Sequence, residues 1–382
     1  MKAARQSICF VVSSPLTIRA FLSSHIAALS AKFDVSVAAD ADPATLAAEG
    51  LNARFFRVPV ERRISPLHDL RALVCLVRHF RRHRFDVVHS VTPKAGLLAM
   101  AAAWLVRVPV RIHTFTGQVW ATRRGAARAL LRAMDGLISQ FATHVLVDSP
   151  SQREFLIENH VVAAAKATVL ANGSICGVDG GRFRPDDAVR KKLRDEMRVP
   201  EDGVVFLYLG RLGRDKGVLD LVSAFNRLAQ SQASAHLMLV GPDEGGLQRE
   251  IEKIAAQFAL RLHIVEYTDR PESYMAAADV FCLPSYREGF GQVALEAAST
   301  GLPVIASRIY GVVDAVLEGE TGLLHPPADA DALRAHMEAL LLKPDLRRKL
   351  GAAGRSRALR NFSARQVTQA LVEFYARVTA KL

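Results

Sequence analysis

The chain has 382 residues, half of them hydrophobic and 23% charged, with a formal net charge of +12. That length favours two domains, and that balance excludes a disordered chain. No apolar run reaches membrane-spanning length, since the longest, residues 97–106, stops at Arg107, and the scattered Cys9, Cys75, Cys176 and Cys282 have neither metal nor redox spacing.

The charge is unevenly placed. Residues 1–180 carry +10 and residues 181–382 carry +2, which implies different partners for the two halves. A basic surface suits nucleic acid, an anionic membrane or a phosphorylated acceptor. No helix-turn-helix, RNA-binding or zinc signature accompanies it, which disfavours nucleic acid.

Along the first half, residues 8–12, 35–39, 54–58, 87–90, 110–115, 144–148 and 168–171 read as short strands with helical segments between them. The run 8–12 is too short for a secretory leader and reads as a buried strand. Such alternation predicts a parallel sheet wrapped by helices, with ligands at the C-terminal strand ends. The first such end carries Ser13, Ser14, Thr17 and Arg19, which can donate to a phosphate or simply form a loop. Residues 67–84 predict an amphipathic helix with Leu70, Val74, Val77 and Phe80 on one stripe and Arg71, Arg78 and Arg82 on another face. A second basic helix is expected over 121–134, with Arg123, Arg124, Arg128 and Arg132. A solvated basic face is the plainer meaning of both helices, and contact with anionic lipid headgroups the sharper one. The strand 110–115 leads to Thr116, Gly117 and Trp120. His113 lies three residues before Thr116, so the two point to opposite faces; His113 reads as a core residue and Trp120 as packing.

Residues 172–185 are glycine-rich and suit a chain reversal. The second half then repeats the pattern. A strand at 204–209 precedes Gly210-Arg211-Leu212-Gly213-Arg214-Asp215-Lys216-Gly217. A strand at 236–240, a helix at 247–258 and a strand at 262–265 follow. Residues 280–284 read as a buried strand, Gly289 and Gly291 as a turn, 292–300 as a helix and 304–306 as the next strand. The chain reads helical from residue 330, ending in an amphipathic helix over 363–382.

The unit over 280–306 holds two carboxylates eight residues apart, Glu288 in the loop and Glu296 on the helix. A helix N-terminus offers unpaired N–H groups and partial positive charge, and glycines before it admit a phosphate to the backbone. A carboxylate nearby repels free phosphate but accepts from two neighbouring hydroxyls of a sugar. On spacing alone, two glutamates with no shared task is the plainer reading.

Pro284-Ser285-x-x-Glu288-Gly289-Phe290-Gly291, then Glu296-Ala297, then Gly301-x-Pro303-Val304, resembles the signature of the retaining family 4 glycosyltransferases. The resemblance covers essentially the whole chain. It implies an α/β fold with two Rossmann-like domains facing a central cleft, the B-type glycosyltransferase fold. The expected division is an acceptor domain over 1–171, a linker over 172–185, a nucleotide-sugar domain over 186–362, and a helix over 363–382 packing back toward the first domain. By resemblance, Glu288 contacts the transferred sugar with Gly289, Phe290 and Gly291, and Glu296 holds the ribose. Gly210, Arg211 and Lys216 match the family's Gly-Arg-Leu…Lys-Gly motif, whose cations clamp the donor diphosphate. The chain departs from the family pattern in several places, among them residues 267–271, where a glycine is common, and Tyr310 and Asp314, where a Gly-Gly-x-x-Glu-type loop is frequent. The Gly-Gly pair common near the donor phosphates is absent after residue 12, Thr116 stands where a histidine often precedes the glycine, and Ser174–Gly177 look inserted in the linker. Ser14, Thr17, Thr116 and Gly117 are the candidates for an acceptor or sugar pocket.

The resemblance implies a retaining, hexosyltransferase-type enzyme that moves a hexose or N-acetylhexosamine from a nucleotide sugar, UDP-linked by preference. The expected acceptor is a polyprenyl-diphosphate-linked sugar or a saccharide in surface polysaccharide or glycan assembly. No metal and no cofactor beyond the co-substrate are expected. A cytoplasmic protein held peripherally at the inner membrane face fits the basic first half. A nucleotide-sugar 2-epimerase and a non-catalytic binding subunit are the alternative readings.

Overall fold

The structure, a computed structural model, describes residues 5–47, 50–60, 65–380 and 382; of the first 171 residues, 1–4, 48–49 and 61–64 therefore lie outside the described ones. The chain forms two compact units, Met1–Gly177 with Ala364–Leu382, and Val178–Ser363. It passes from one to the other between Gly177 and Val178, inside the segment expected as the linker.

In the first unit the described residues form a seven-stranded sheet in the order β3-β2-β1-β4-β5-β6-β7. The strands are β1 (Ser7–Val11), β2 (Asp34–Ala39), β3 (Arg54–Arg57), β4 (Val87–Val91), β5 (Val110–Phe115), β6 (His144–Val147) and β7 (Ala167–Val169). Every pairing is parallel. Side chains alternate across the sheet. Ile8, Phe10 and Val12 join one core with Val35 and Val37, whereas Cys9 and Val11 join the other with Ala38 and Val88. Burial on both faces explains why these strands read as nearly continuous apolar runs.

The C-terminal helix Ala364–Thr379 belongs to this unit. It buries Leu371, Val372, Phe374 and Tyr375 against the core that holds Ile8 and Phe10. Two histidines tie it down. The Thr368 hydroxyl lies 2.9 Å from His25 Nδ1, and the Tyr375 hydroxyl 2.7 Å from His89 Nδ1. His25 Nε2 sits 2.7 Å from the Ile175 carbonyl, which can only accept, so Nε2 carries the proton and Nδ1 accepts from Thr368.

Two helices differ from expectation. Pro66–His83 turns Ala72, Leu76 and Phe80 inward and leaves Leu67, Leu70 and Val74 exposed; the i, i+4 row packs, not the stripe through Leu70 and Val74. The helix expected from residue 121 starts at Gly125 and runs to Phe141. Val119–Thr122 is a 3-10 turn, Arg123 and Arg124 are extended, and Gly125 has φ +59°, so both arginines precede the helix. Trp120 is buried, donates to Asp135 Oδ2 at 2.8 Å and stacks on Phe155 at 5.0 Å, the packing role expected of it.

The second unit carries a six-stranded parallel sheet in the order β10-β9-β8-β11-β12-β13. Its strands are β8 (Val204–Leu209), β9 (Ala235–Val240), β10 (Leu262–Val265), β11 (Val280–Leu283), β12 (Val304–Ser307) and β13 (Gly322–His325). Val205, Leu207, Met238, Val240, Phe281 and Leu283 fill one side, and Phe206, Tyr208, Leu237, Leu239 and Cys282 the other. The helix expected over 247–258 is shorter, Gln248–Ile254, and the chain kinks at Phe258 inside a 3-10 segment. The strand order turns back between β8 and β11, so their C-terminal ends open a crevice of the kind that takes ligands in doubly wound sheets.

Candidate active site

That crevice is built from the loop after β8, residues 210–217, and the loop after β11, residues 284–291. The two loops meet closely. A Cβ on Gly217, at φ +66°, would stand 2.0 Å from the Pro284 carbonyl oxygen, so only glycine lets them approach. Tyr286 N–H donates to the Asp215 carbonyl at 3.0 Å, Arg287 Nη2 to Asp215 Oδ2 at 3.0 Å, and the Tyr286 hydroxyl to Asp220 Oδ2 at 2.6 Å. From the loop after β12, Gly311 presses on the same loop, where a Cβ would come within 2.3 Å of the Gly289 carbonyl oxygen.

These contacts bring Lys216 and Glu288 together. Lys216 Nζ donates to Glu288 Oε1 at 2.7 Å, with side chains 20% and 17% exposed. Phe290 is buried, and Gly291 stands immediately before the helix Gln292–Ser299. Arg211 does not join that pair. Its Nη1 donates to Glu244 Oε2 at 2.7 Å in the loop after β9, while its backbone carbonyl accepts from the Tyr208 hydroxyl at 2.7 Å. The Ser285 hydroxyl is fully buried and makes no hydrogen bond among the described residues.

Glu296 lies about one turn along the helix. Burial pushes its carboxyl up to about 7, although the Gln292 side chain and the Arg182 charge pull it down. The residue as a whole is half-buried.

The remaining candidates belong to the first unit. Ser14 Oγ accepts from Leu16 N–H at 3.3 Å at the end of β1, and both Ser14 and Thr17 are buried. Thr116 follows β5; its carbonyl accepts from Gln118 Nε2 at 2.6 Å and Gln152 Nε2 at 2.7 Å, and Gly117 is half-buried beside it. β4 lies between β1 and β5, so Ser14 and Thr17 stand two strands along the sheet from Thr116 and Gly117. His113 is a core residue, as expected: it is fully buried, 2.8 Å from the Ser90 hydroxyl, and burial pulls it down to about 3.

The residues missed from sequence are Asp215, Asp220, Glu244 and Arg287, each of which pairs with a motif residue or its neighbour. Asp215 and Arg287 lie inside the two motif stretches, and Glu244 stands out as an acid in a glycine-rich loop, so their charge was a visible signal. Among the described residues no group of three or more His, Cys, Asp or Glu is placed to hold a metal ion.

Residues 189–357 match the family model described as glycosyl transferases group 1, and residues 18–173 the model described as glycosyl transferase 4-like domain. The chain is 30% identical over 304 residues to the glycogen synthase of Mycobacterium tuberculosis, an alignment covering 77% of this chain and 69% of the relative. The chain belongs to the family 4 glycosyltransferases. This glycosyltransferase is also 29% identical over 322 residues to the capsular polysaccharide biosynthesis glycosyltransferase CapM of Staphylococcus aureus, with 83% of each chain covered. It is 27% identical over 287 residues to the UDP-Gal:alpha-D-GlcNAc-diphosphoundecaprenol alpha-1,3-galactosyltransferase of Escherichia coli, with 73% of each covered. Among solved structures it resembles the sucrose-phosphate synthase of Thermosynechococcus elongatus at 25% identity and a TM-score of 0.81, covering 99% of this chain and 100% of that one. The expected B-type glycosyltransferase fold, two parallel-sheet Rossmann-like domains, is the fold observed. No helix among the described residues is long and apolar enough to cross a membrane.

Proposed function

We propose that this glycosyltransferase is retaining and moves a hexose or N-acetylhexosamine from a UDP-linked donor to a membrane lipid-linked or saccharide acceptor, in the assembly of a surface polysaccharide or glycan. The observation that carries this reading is the meeting of Lys216 and Glu288 at 2.7 Å beside the helix that bears Glu296. A cation for a diphosphate, an acceptor for sugar hydroxyls and an acceptor for ribose hydroxyls thus share one strand crevice.

In this reading the donor lies on the second unit. Ionised Glu296 accepts from the ribose hydroxyls, and Glu288 with Gly289, Phe290 and Gly291 orients the sugar. As the bond from the sugar's anomeric carbon to the β-phosphate oxygen breaks, negative charge gathers on the nucleoside diphosphate. Arg211 and Lys216 stabilise that charge as fixed cations, with no metal required. The departing phosphate oxygen takes the acceptor hydroxyl's proton while that hydroxyl's oxygen bonds to the same face of the sugar, which retains the configuration.

The first unit holds the acceptor, with Ser14, Thr17, Thr116 and Gly117 at its strand ends. The UDP-linked donor and diphosphate-linked lipid acceptor in the name of the Escherichia coli relative support both choices. A peripheral position at the inner membrane face has support in the helix Gly125–Phe141. Its outer face exposes Ala126, Ala127, Leu130, Ala133 and Leu137, flanked by Arg123, Arg124 and Arg132. Apolar insertion beside arginines suits anionic headgroups.

Calorimetric titration with UDP, GDP, ADP and CDP tests the donor site. Saturable binding of UDP, weakened in Glu296→Ala, is expected. Failure of all four to bind the wild-type chain overturns the reading.

A further inference from the structure

Each cation of the two crevice loops already faces a carboxylate among the described residues. Lys216 pairs with Glu288 at 2.7 Å, Arg287 with Asp215 at 3.0 Å, Arg211 with Glu244 at 2.7 Å and Arg214 with Glu250 at 2.6 Å. A nucleoside diphosphate brings at least two negative charges and competes with these carboxylates for the cations. The four pairs are not equally easy to open, and Arg214, 68% exposed, is not one of the two motif cations. Lys216 and Glu288 are largely enclosed, and Glu288 has the sugar to hold. Asp215 stitches the two motif loops together through its backbone carbonyl as well as its side chain. Arg211 and Glu244 are 47% and 46% exposed, and water solvates both ends as they part.

Glu244 is nevertheless not a loose surface residue. Leu212 N–H donates to the Pro242 carbonyl at 2.9 Å and Gly245 N–H to the Leu212 carbonyl at 3.1 Å, zipping the loop after β9 onto the loop after β8. Asp243 fixes the far side of the turn, accepting from the N–H groups of Gly245, Leu247 and Gln248 at 3.2, 2.9 and 2.9 Å. The backbone therefore delivers the Glu244 carboxylate to Arg211.

We infer that Glu244 is a built-in competitor of the donor diphosphate: it occupies Arg211 in the empty site, swings off when the diphosphate binds, and returns to help expel the nucleoside diphosphate product. This rests on the donor-site reading above. Glu244 has no task toward sugar or ribose, so it can be changed without touching the groups that hold them. The exchange is one of ion pairs, Arg211–carboxylate for Arg211–phosphate, with no bond made or broken.

The test is a calorimetric cycle on the full chain with UDP at fixed ionic strength, comparing wild type, Glu244→Gln, Arg211→Gln and the double variant. Glutamine keeps the size and hydrogen-bonding capacity and removes the charge. An exposed ion pair of this kind corresponds to about a two- to fivefold change in affinity, so Glu244→Gln is expected to bind UDP about two- to fivefold more tightly. In the Arg211→Gln background the same change is expected to tighten binding far less, because there is no shared cation to release. Equal or weaker binding by Glu244→Gln overturns the inference, and so does an equal gain in both backgrounds, which is plain charge repulsion. Loss of UDP binding in the wild type is the separate result that overturns the donor-site reading and this inference with it.

Discussion

Replacing Glu296 with glutamine removes a charge whose presence depends on pH near neutrality. The ordinary value for this carboxyl is 4.5, and burial pushes it up to about 7. If ribose hydroxyls donate to the ionised form, only that fraction binds donor well. Affinity then falls as pH drops through 7, approaching a tenfold loss per unit, or about 1.4 kcal/mol. Between pH 8 and pH 6 the expected loss is about tenfold, because the ionised fraction falls from near nine-tenths to near one-tenth for a group titrating at 7. The ligand for this assay is a UDP-linked sugar, whose diphosphate is esterified at both ends and does not titrate in this range. Calorimetry at pH 6, 7 and 8 reads the slope. Glu296→Gln is expected to bind weakly with no slope, the loss at pH 8 corresponding to the roughly 1.5–3 kcal/mol of hydrogen bonding to a charged group. A flat wild-type profile refutes the reasoning, as does an equal slope in the glutamine variant.

Two further outcomes follow from the first unit. Asp148 is buried, and burial pushes it up to about 8 from an ordinary 3.8. The folded protein keeps this proton where the unfolded chain releases it, so stability falls as pH rises from about 4 to about 8. Asp148→Asn is expected to raise the melting temperature at pH 8 by at least about 3 °C, the shift that roughly 1 kcal/mol produces in a unit of this size, and to leave it unchanged at pH 4; equal effects at both pH values would contradict this. Flotation with anionic and neutral vesicles examines the outer face of Gly125–Phe141. Wild type is expected to float with anionic vesicles and Leu130→Asp/Leu137→Asp to remain below, whereas equal, weak binding to both vesicle types removes the membrane face.

The strands were legible because parallel strands buried on both faces are nearly unbroken apolar runs, as at Val204–Leu209. Lys216, Glu288 and Glu296 were legible because they fall in two continuous stretches at strand ends. What escaped was decided by non-local packing or by single backbone angles. The partner of Arg211 depends on how the loops after β8 and β9 zip together, which no local pattern encodes. The alanine- and arginine-rich stretch after Trp120 has helix propensity throughout, and the left-handed Gly125 fixes where the helix begins. On Pro66–His83 several apolar faces compete, and packing into the core that also holds Cys9 and Val11 selects Ala72, Leu76 and Phe80.

The most direct measurement is transfer itself. The purified chain is incubated with a UDP-linked α-sugar and a polyprenyl-diphosphate-linked sugar acceptor, and the new linkage is assigned by NMR. An α-linked product with release of UDP, abolished in Glu288→Gln and Lys216→Ala, is the predicted result. A β-linked product, or transfer that survives both substitutions, would contradict a retaining transfer carried by the crevice of the second unit.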